Sequence, residues 1–292
     1  IVKTDSLGNQ EWSQTYGGTS PEKANSIYQT SDGGYIVACE TQSYGAGNYD
    51  AWIIKIDANG NQQWSQTFGG GSKDYATFIQ ETNDGNYIVI GSTQSFGSGG
   101  HNAWMIKVDT LGNEIWSQTF GGAGSDERAY YGQQTDDNGY ILIGQTDSYA
   151  TGGQHTDVWL IKTDSLGNQE WSQNYGGSQA DIGRRGHQTS DGGYVVGGWT
   201  QSYGSGLNDA LIMKVDNSGN LQWLETYGGS NHDEAYAVQQ TTDGGYMLFG
   251  RNNSSSNGIS DFWLIKTTSQ GILDIFGCTD SLAINYNATA NT

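Results

Sequence analysis

Charged and aromatic residues that could bind a ligand interrupt the fourth of five internal repeats. Arg184, Arg185 and His187 lie in the segment GRRGHQT, at positions where the other repeats carry no charge. Trp199, in the next predicted strand, has no aromatic counterpart in the other repeats. Because repetition maintains a fold, a departure from it indicates a local function. These four residues form the predicted asymmetric ligand site.

Strand pairing across the turn SDGG decides whether these side chains meet. If Thr189 pairs with Tyr194, Arg184 lies opposite Trp199 on one sheet face, where a guanidinium can stack on an indole. We then expect the two arginines to hold anionic or hydroxyl groups and Trp199 to act as a platform. An ion pair of Arg184 with Asp181 or a neighbouring acid is the structural alternative.

A second candidate site is an aromatic residue that recurs beside glycines in the variable loops. Four repeats carry it, at Tyr44, Phe96, Tyr149 and Tyr203, and the fifth has Ser255 there. One ring per repeat could stack on sugar rings and give multivalent binding. In the alternative interpretation, each ring folds down onto the neighbouring loop.

Acidic residues also recur, two positions before the first predicted strand of each repeat: Glu22, Asp74, Glu127, Asp181 and Asp233. A ring of carboxylates could attract Ca²⁺, which takes several oxygen ligands. Such carboxylates more often accept hydrogen bonds from loop N–H groups. No calcium-loop motif accompanies them, so the sequence predicts no metal site and leaves calcium as an open alternative.

A lysine follows the third-strand tryptophan or leucine in every repeat, at Lys55, Lys107, Lys162, Lys214 and Lys266. We expect a structural role, because five identical sites are less common than a repeated internal ion pair. Strand alternation places Lys55 on the same face as Asp57, so a carboxylate of the adjoining hairpin is the expected partner.

The catalytic constellations of hydrolases are missing from the sequence pattern. Propeller glycosidases need two carboxylates near a channel, and Glu81 is the one first-strand carboxylate found, without a unique partner. The four histidines are scattered, and no Ser-His-Asp arrangement is visible. The sequence therefore predicts a protein that is not an enzyme.

The elements that position all these residues follow from the repeat itself. Its tryptophans are 52, 52, 55 and 52 residues apart, at Trp12, Trp64, Trp116, Trp171 and Trp223. Each repeat contains four β-rich runs joined by short Asp/Asn/Gly turns. Four antiparallel strands in about 50 residues make one blade of a β-propeller. The longer, variable loops then share one face, where binding usually resides.

Five blades are the expected number over residues 1–276, with the N-terminal segment EWSQTYGG completing the blade of residues 235–267. Residues 1–5, IVKTD, also match the third strand of a blade whose first half is absent. A parent protein with six or seven blades therefore remains an alternative. Residues 277–292 form a separate tail.

Composition limits the partners. The chain has 292 residues, a net charge of −19 and 15% charged residues. Its negative field disfavours nucleic acid and anionic membranes, whereas neutral sugars and cations are compatible with it. No apolar run is long enough to span a membrane, so we expect no membrane insertion and a domain that is monomeric.

The repeat unit DGGYIVxGxTxSxGxGxxDAWxIKxDxxGNxxWSQTxGG resembles tandem repeats of secreted and surface proteins from Bacteroidetes and archaea. The tail GCTDSLAINYNATANT is similar to a truncated Cys-containing module of type nine secretion substrates. The resemblance implies a propeller, export and surface attachment. It also implies that Cys278 pairs with a later cysteine, and a Cys39–Cys278 disulfide is the alternative.

The predicted function is non-enzymatic extracellular binding or adhesion, with a glycan or a cell-surface protein bound at the variable-loop face. A structural spacer in a large surface protein is the first alternative. A propeller glycoside hydrolase or lyase is the second.

Overall fold

Four-stranded antiparallel sheets repeat along the chain in a computed structural model that describes residues 1–122, 126–151, 155–255 and 260–273. All of the regular secondary structure in these residues is β. The described residues contain no helix of the length and apolarity needed to cross a membrane. The β-branched and aromatic runs of the repeat therefore form strands, as the sequence predicts.

Each complete sheet consists of four strands that follow one another in the chain and pair with their sequence neighbours. The first is β3 (Glu22–Gln29), β4 (Tyr35–Thr41), β5 (Asp50–Ile56) and β6 (Gln62–Phe68). The second is β7 (Asp74–Glu81), β8 (Tyr87–Thr93), β9 (Asn102–Val108) and β10 (Glu114–Phe120). The third is β11 (Arg128–Gln134), β12 (Tyr140–Thr146), β13 (Asp157–Thr163) and β14 (Gln169–Tyr175).

The fourth complete sheet is β15 (Asp181–Gln188), β16 (Tyr194–Thr200), β17 (Asp209–Val215) and β18 (Leu221–Tyr227). A fifth sheet has β19 (Asp233–Gln240), β20 (Tyr246–Asn252) and β21 (Asp261–Thr267), and Thr267 forms a bridge to Leu273. Residues 274–276 of the expected last strand lie outside the described residues. Sequential antiparallel meanders of this kind are the blades of a β-propeller.

The N-terminal segment does not pair as the sequence led us to expect. β1 (Val2–Thr4) and β2 (Gln10–Ser13) form a two-stranded sheet of their own, and the sheet of β19–β21 has three strands in the described residues. β1 and β2 match the third and fourth strands of a blade. β2 pairs with β1 in this two-stranded hairpin, so the expected pairing of EWSQTYGG with the blade of residues 235–267 is not seen among the described residues.

Every blade has a β-bulge at the same place in its first strand, where the pairing with the second strand slips by one residue. In the fourth blade the slip lies between Gly183 and Arg185. Gly198 faces it, and a Cβ there would lie 1.9 Å from the carbonyl oxygen of Ile182. A glycine lies opposite the bulge in four blades, whereas Cys39 occupies this position in the first. The bulge shifts the pairing of every residue that precedes it.

Blades pack through apolar residues on both faces of the second and third strands. Ile36 and Ile53 of the first blade share a buried cluster with Ile79, Val89 and Ile106 of the second. The fourth-strand Trp64 is partly buried against this cluster. Its indole N–H donates to the carbonyl of Thr110 at 2.9 Å. The tryptophan thus joins two blades, as the repeat predicts.

By their internal contacts, the residues form two compact units. One comprises Ile1–Tyr149 with Leu160–Ser172, and the other comprises Ala150–Trp159 with the chain from Gln173 onwards. The complete first and second blades lie in the former unit, and the fourth blade lies in the latter.

Candidate functional site

The bulge in the fourth blade changes the predicted relation between Arg184 and Trp199. The residue opposite Trp199 is Ile182, and Arg185 lies opposite Gly197. Gln188 rather than Thr189 pairs with Tyr194, and Arg184 is the extra residue of the bulge. The register on which the stacking of Arg184 on Trp199 rested is therefore wrong. Arg185 is exposed, whereas Arg184 and Trp199 are partly buried. The indole N–H of Trp199 has no hydrogen-bond partner in the described residues.

His187 serves a structural purpose that the repeat itself explains. Its Nε2 accepts a hydrogen bond of 3.0 Å from the backbone N–H of Gln240, in the first strand of the next blade. In the second blade, the equivalent Gln80 accepts from the backbone N–H of Gln134 at 3.4 Å. Burial lowers the pKa of His187. A neutral imidazole therefore replaces a glutamine oxygen as the acceptor between blades.

The recurrent loop aromatics fold down onto neighbouring structure. The hydroxyl groups of Tyr44, Tyr149 and Tyr203 donate to glycine carbonyls of the preceding connection, at Gly17, Gly121 and Gly176 respectively. Phe96, which has no hydroxyl group, packs on Trp104 with ring centroids 5.6 Å apart. These contacts match the alternative interpretation. The rings nevertheless stay 41–50% exposed, so each leaves surface for a ligand.

The recurrent acids bind their own loops. Asp74 accepts hydrogen bonds from the backbone N–H of Gly70 at 2.9 Å and from the hydroxyl of Ser95 at 2.6 Å. Asp181 repeats this with Gly177 and Ser202. No group of three or more His, Cys, Asp or Glu side chains is arranged for a metal ion in the part of the chain that the structure describes. The carboxylates act as caps of the inter-blade connections.

The recurrent lysines form buried ion pairs, although with a different partner from the expected Asp57. Lys55 Nζ lies 2.9 Å from Asp32 in the turn between the first two strands, and its side chain is 3% exposed. Asp57 instead accepts from the backbone N–H groups of Asn59 and Asn61 in its own turn. Lysine and aspartate thus tie the third strand to the first turn of the same blade.

A cleft of about 510 Å³ in the first unit gathers a loop aromatic with polar side chains. It lies between the connection that follows β2 and the first blade. Its lining includes Tyr16, Tyr44, Trp52, Gln62, Ser65 and Gln66. None of the residues lining the cleft is charged. Its volume falls in the range of small-ligand sites.

Aromatic and amide groups of the cleft come from separate elements. Tyr44 lies 5.2 Å from Trp52 between ring centroids, at an interplanar angle of 46°. Trp52 is buried on β5, so it fixes the Tyr44 ring, which is 43% exposed. Gln62, Ser65 and Gln66 lie on β6 and present amide and hydroxyl groups. A ring face beside neutral donors and acceptors suits a polyhydroxylated ligand.

Sequence reasoning found Tyr44 but missed the rest of the cleft. Gln62, Ser65 and Gln66 belong to the fourth-strand segment QQWSQTF, whose similarity to EIWSQTF and QEWSQNY of the next two blades indicates a structural role. Polar side chains are normal on a solvent-facing edge strand, so those that flank Trp64 gave no distinct signal. Their approach to Tyr44 depends on how the connection at Thr15–Gly17 folds.

The cysteines are only partly described. Cys39 is a free, buried thiol, and burial raises its pKa to about 12. Such a thiol is unreactive, because the thiolate is the nucleophilic form. Cys278 and the tail of residues 277–292 lie outside the described residues.

Comparison with curated proteins gives one distant relative and no family model that matches. The Regulatory protein FlaEY of Caulobacter vibrioides is 24% identical over 314 residues, which cover 88% of this chain. They cover 33% of the relative, so this chain spans about a third of its length.

Several solved structures resemble this chain in fold at low sequence identity. A mutant apocarotenoid oxygenase from Synechocystis has a TM-score of 0.50 and 13% identity, covering 89% of this chain and 63% of that one. The β-propeller domain of the Trilobed protease from Pyrococcus furiosus has a TM-score of 0.47 and 11% identity, and the match covers 89% of this chain and 72% of that one. A protein of unknown function from Bacteroides caccae has a TM-score of 0.47 and 14% sequence identity, and the match covers 77% of this chain and 73% of that one. The likeness to the oxygenase concerns the fold alone.

Proposed function

We propose that this chain is a non-enzymatic carbohydrate-binding propeller module of an exported or cell-surface protein. The observation that carries the proposal is the uncharged cleft, in which the half-exposed Tyr44 ring stands beside Gln62, Ser65 and Gln66. A sugar ring offers a C–H face for the tyrosine and hydroxyl groups for the amides. The ligand is therefore a neutral glycan, bound at the variable-loop side of the first blade.

Charge favours a neutral ligand over an anionic one. With a net charge of −19, the chain repels nucleic acid and acidic polysaccharides at a distance. Hydrogen bonds from uncharged amides avoid the desolvation of a buried ion and suit hydroxyl groups. Arg185 is exposed in the fourth blade, and we propose that its segment GRRGHQT makes a secondary contact with the ligand.

The other two functions make different demands on the same molecule. A spacer would bind nothing in the cleft. A hydrolase or lyase would need paired carboxylates, and the described acids at the blade connections are engaged by their own loops. The binding function uses the exposed face of Tyr44, whose hydroxyl donates to Gly17, together with the side chains of Gln62, Ser65 and Gln66.

Our first prediction concerns two cleft variants. Tyr44→Ala and Gln66→Ala should each weaken binding of a neutral oligosaccharide about tenfold, because each removes one contact worth roughly 1.4 kcal/mol. An immobilised glycan panel identifies the ligand, and titration calorimetry with wild type and variants measures the dissociation constant.

Tyr203→Ala is the matched control. Its ring has nearly the same exposure and the same hydroxyl-to-glycine hydrogen bond, but it lies in the fourth blade. We expect its affinity to equal that of wild type. Equal losses of affinity in Tyr44→Ala and Tyr203→Ala would mean that the ligand binds at the aromatic loops of several blades and not at this one cleft. Absence of binding across the panel would favour the spacer.

A further inference from the structure

His101 is a buried titratable residue at a position that differs in every blade. It ends the loop before β9, and only 5% of it is exposed. The equivalent residues of the other blades are Tyr49, Thr156, Asn208 and Ser260. The carbonyl of His101 accepts a hydrogen bond of 2.9 Å from the backbone N–H of Glu127, in the connection to the third blade. The carbonyl of Asn208 accepts one of 2.7 Å from Asp233 in the same way. This position therefore joins each loop to the next blade.

An aromatic ring and an ion pair surround the imidazole of His101. The ring of Tyr75 lies 5.6 Å away between centroids, at an interplanar angle of 30°. Nε2 of His101 is 3.9 Å from Oδ1 of Asp126. Arg128 holds the other oxygen of that carboxylate, with Nε and Nη2 each 3.0 Å from Oδ2. These four residues, all in the first unit, are called the His101 junction below.

Charges reach the imidazole from both elements that pack against it. The titratable and charged groups there are Lys73, Asp74 and Tyr75 at the start of β7, and Asp126, Glu127 and Arg128 at the start of β11. Burial lowers the pKa of His101, the Arg128 guanidinium acts in the same direction, and the Asp126 carboxylate opposes them. The folded junction therefore favours the neutral ring.

The equivalent junction between the fourth and fifth blades is closed by hydrogen bonds. Asn208 Nδ2 donates to Glu234 at 2.8 Å, and Asn208 Oδ1 accepts from Gln201 at 2.9 Å. At His101 the 3.9 Å approach to Asp126 is too long for a hydrogen bond. Its Nδ1 has no hydrogen-bond partner within the described part of the chain. The imidazole is therefore held mainly by packing, and a proton added to it would lack a hydrogen-bonded counter-ion.

We propose that the His101 junction is an acid-sensitive contact between the second and third blades, which opens when the imidazole takes up a proton. In the closed junction the charged ring is kept from water and shares its only near carboxylate with Arg128. In the open junction water hydrates the imidazolium, so proton uptake favours opening. The loop before β9 and the connection before β11 then separate on the variable-loop side, while the strands stay paired. This inference does not depend on the glycan function.

Hydrogen exchange of the full chain at pH 5 and pH 7.5 tests the opening. After correction for the intrinsic effect of pH on exchange, Gly97–Asn102 and Asp126–Ala129 should open more readily at pH 5. The opening constant should rise by up to about tenfold per pH unit, because opening takes up one proton. Ile88–Ile90 of β8, in the same blade, should keep a constant protection. Equal protection of the two segments at both pH values would overturn the proposal.

Variants taken from the Asn208 position show whether His101 is the responsible group. His101→Asn cannot titrate and should remove the pH dependence of both segments. His101→Asn combined with Arg128→Glu reproduces the Asn208–Glu234 pair and should stay closed at both pH values. His155→Gln replaces an exposed histidine and should behave as wild type. A pH dependence that persists in His101→Asn would contradict the assignment.

NMR titration of the His101 ring tests the surrounding charges directly. Its midpoint in the wild-type chain should lie below 6.5, the ordinary value. Asp126→Asn should lower the midpoint further, because it removes the nearest negative charge. Arg128→Gln should raise the midpoint, because it removes a positive charge. A wild-type midpoint at or above 6.5, or one that neither variant moves, would overturn the proposed device.

Discussion

Lysine and histidine show how single residues serve the repeat. A buried ammonium is costly unless a carboxylate or several acceptors compensate it. Lys55 meets this need through Asp32 and the carbonyl of Ile56. His187 meets a different need, because its neutral ring accepts a backbone N–H between blades. Both residues could be mistaken for functional groups from their type alone.

Replacing Asp32 and replacing Lys55 should lower the stability of the protein by different amounts. Asp32→Asn should lower the free energy of unfolding by about 2 kcal/mol, because the buried ammonium keeps its charge and loses its counter-ion. Lys55→Met should cost less than about 1 kcal/mol, because it removes the buried charge itself. Urea unfolding measures both. The double variant should resemble Lys55→Met, and a larger cost for Lys55→Met than for Asp32→Asn would contradict this explanation.

His187 predicts a dependence of stability on pH. Burial lowers its pKa in the folded chain below the ordinary value of 6.5, so at mildly acid pH the unfolded chain binds the proton more readily. Its contribution is complete above pH 6.5 and is lost as the pH falls through the unfolded and then the folded pKa. Thermal midpoints between pH 5 and 8 should therefore decline on the acid side.

Two variants separate this effect from others. His187→Gln restores the residue of the other blades and should flatten the decline. The exposed His155 provides the control, and His155→Gln should keep the wild-type profile. Buried His101, whose pKa burial also lowers, accounts for any slope that remains. Identical profiles for His187→Gln and wild type would rule out the proposed role.

At the scale of strands and turns, the packing of blade on blade depends on close approach. The ring of Trp64 covers Gly112 in the turn of the next blade, and that glycine has a φ of +86°. A Cβ on Gly112 would lie 2.9 Å from the indole. Glycine is therefore favoured at position 112 for two reasons: the backbone is left-handed there, and the ring of Trp64 leaves no room for a Cβ.

Gly85 supplies the comparison for this contact. It has a φ of +79°, but a Cβ there would meet nothing within 4 Å. Gly85→Ala should cost about 1 kcal/mol from backbone strain alone. Gly112→Ala should cost about 1–3 kcal/mol more, because it also displaces Trp64. Chemical denaturation of both variants checks the difference, and equal costs would mean that the tryptophan moves aside freely.

At the scale of the whole molecule, charge and repetition act together. Only 15% of the residues are charged, yet the net charge is −19, so the few charged groups produce a negative field around a chain rich in uncharged polar residues. Such a surface favours uncharged partners and long-range repulsion of anions. The departures from the repeat include loops, the first strand of the fourth blade and the second-strand residues Cys39 and Trp199.

The strands, their grouping in fours and the inter-blade tryptophans could all be predicted from the amino-acid sequence. Period, turn residues and β-propensity are local properties, and they recur often enough to reinforce one another. It also predicted that the lysines are structural. These features depend on residues close in the chain or on spacing that the repeat makes visible.

Tertiary structure alone decided the bulge register, the lysine partner, the pairing of β2 with β1 and the cleft beside Tyr44. The turn pairs Gln188 with Tyr194, and one extra residue in the first strand then places Ile182 instead of Arg184 opposite Trp199. Asp32 and Asp57 are equally plausible partners along the chain, and only the distance across the blade separates them. The cleft joins segments whose approach is set by packing rather than by neighbouring residues.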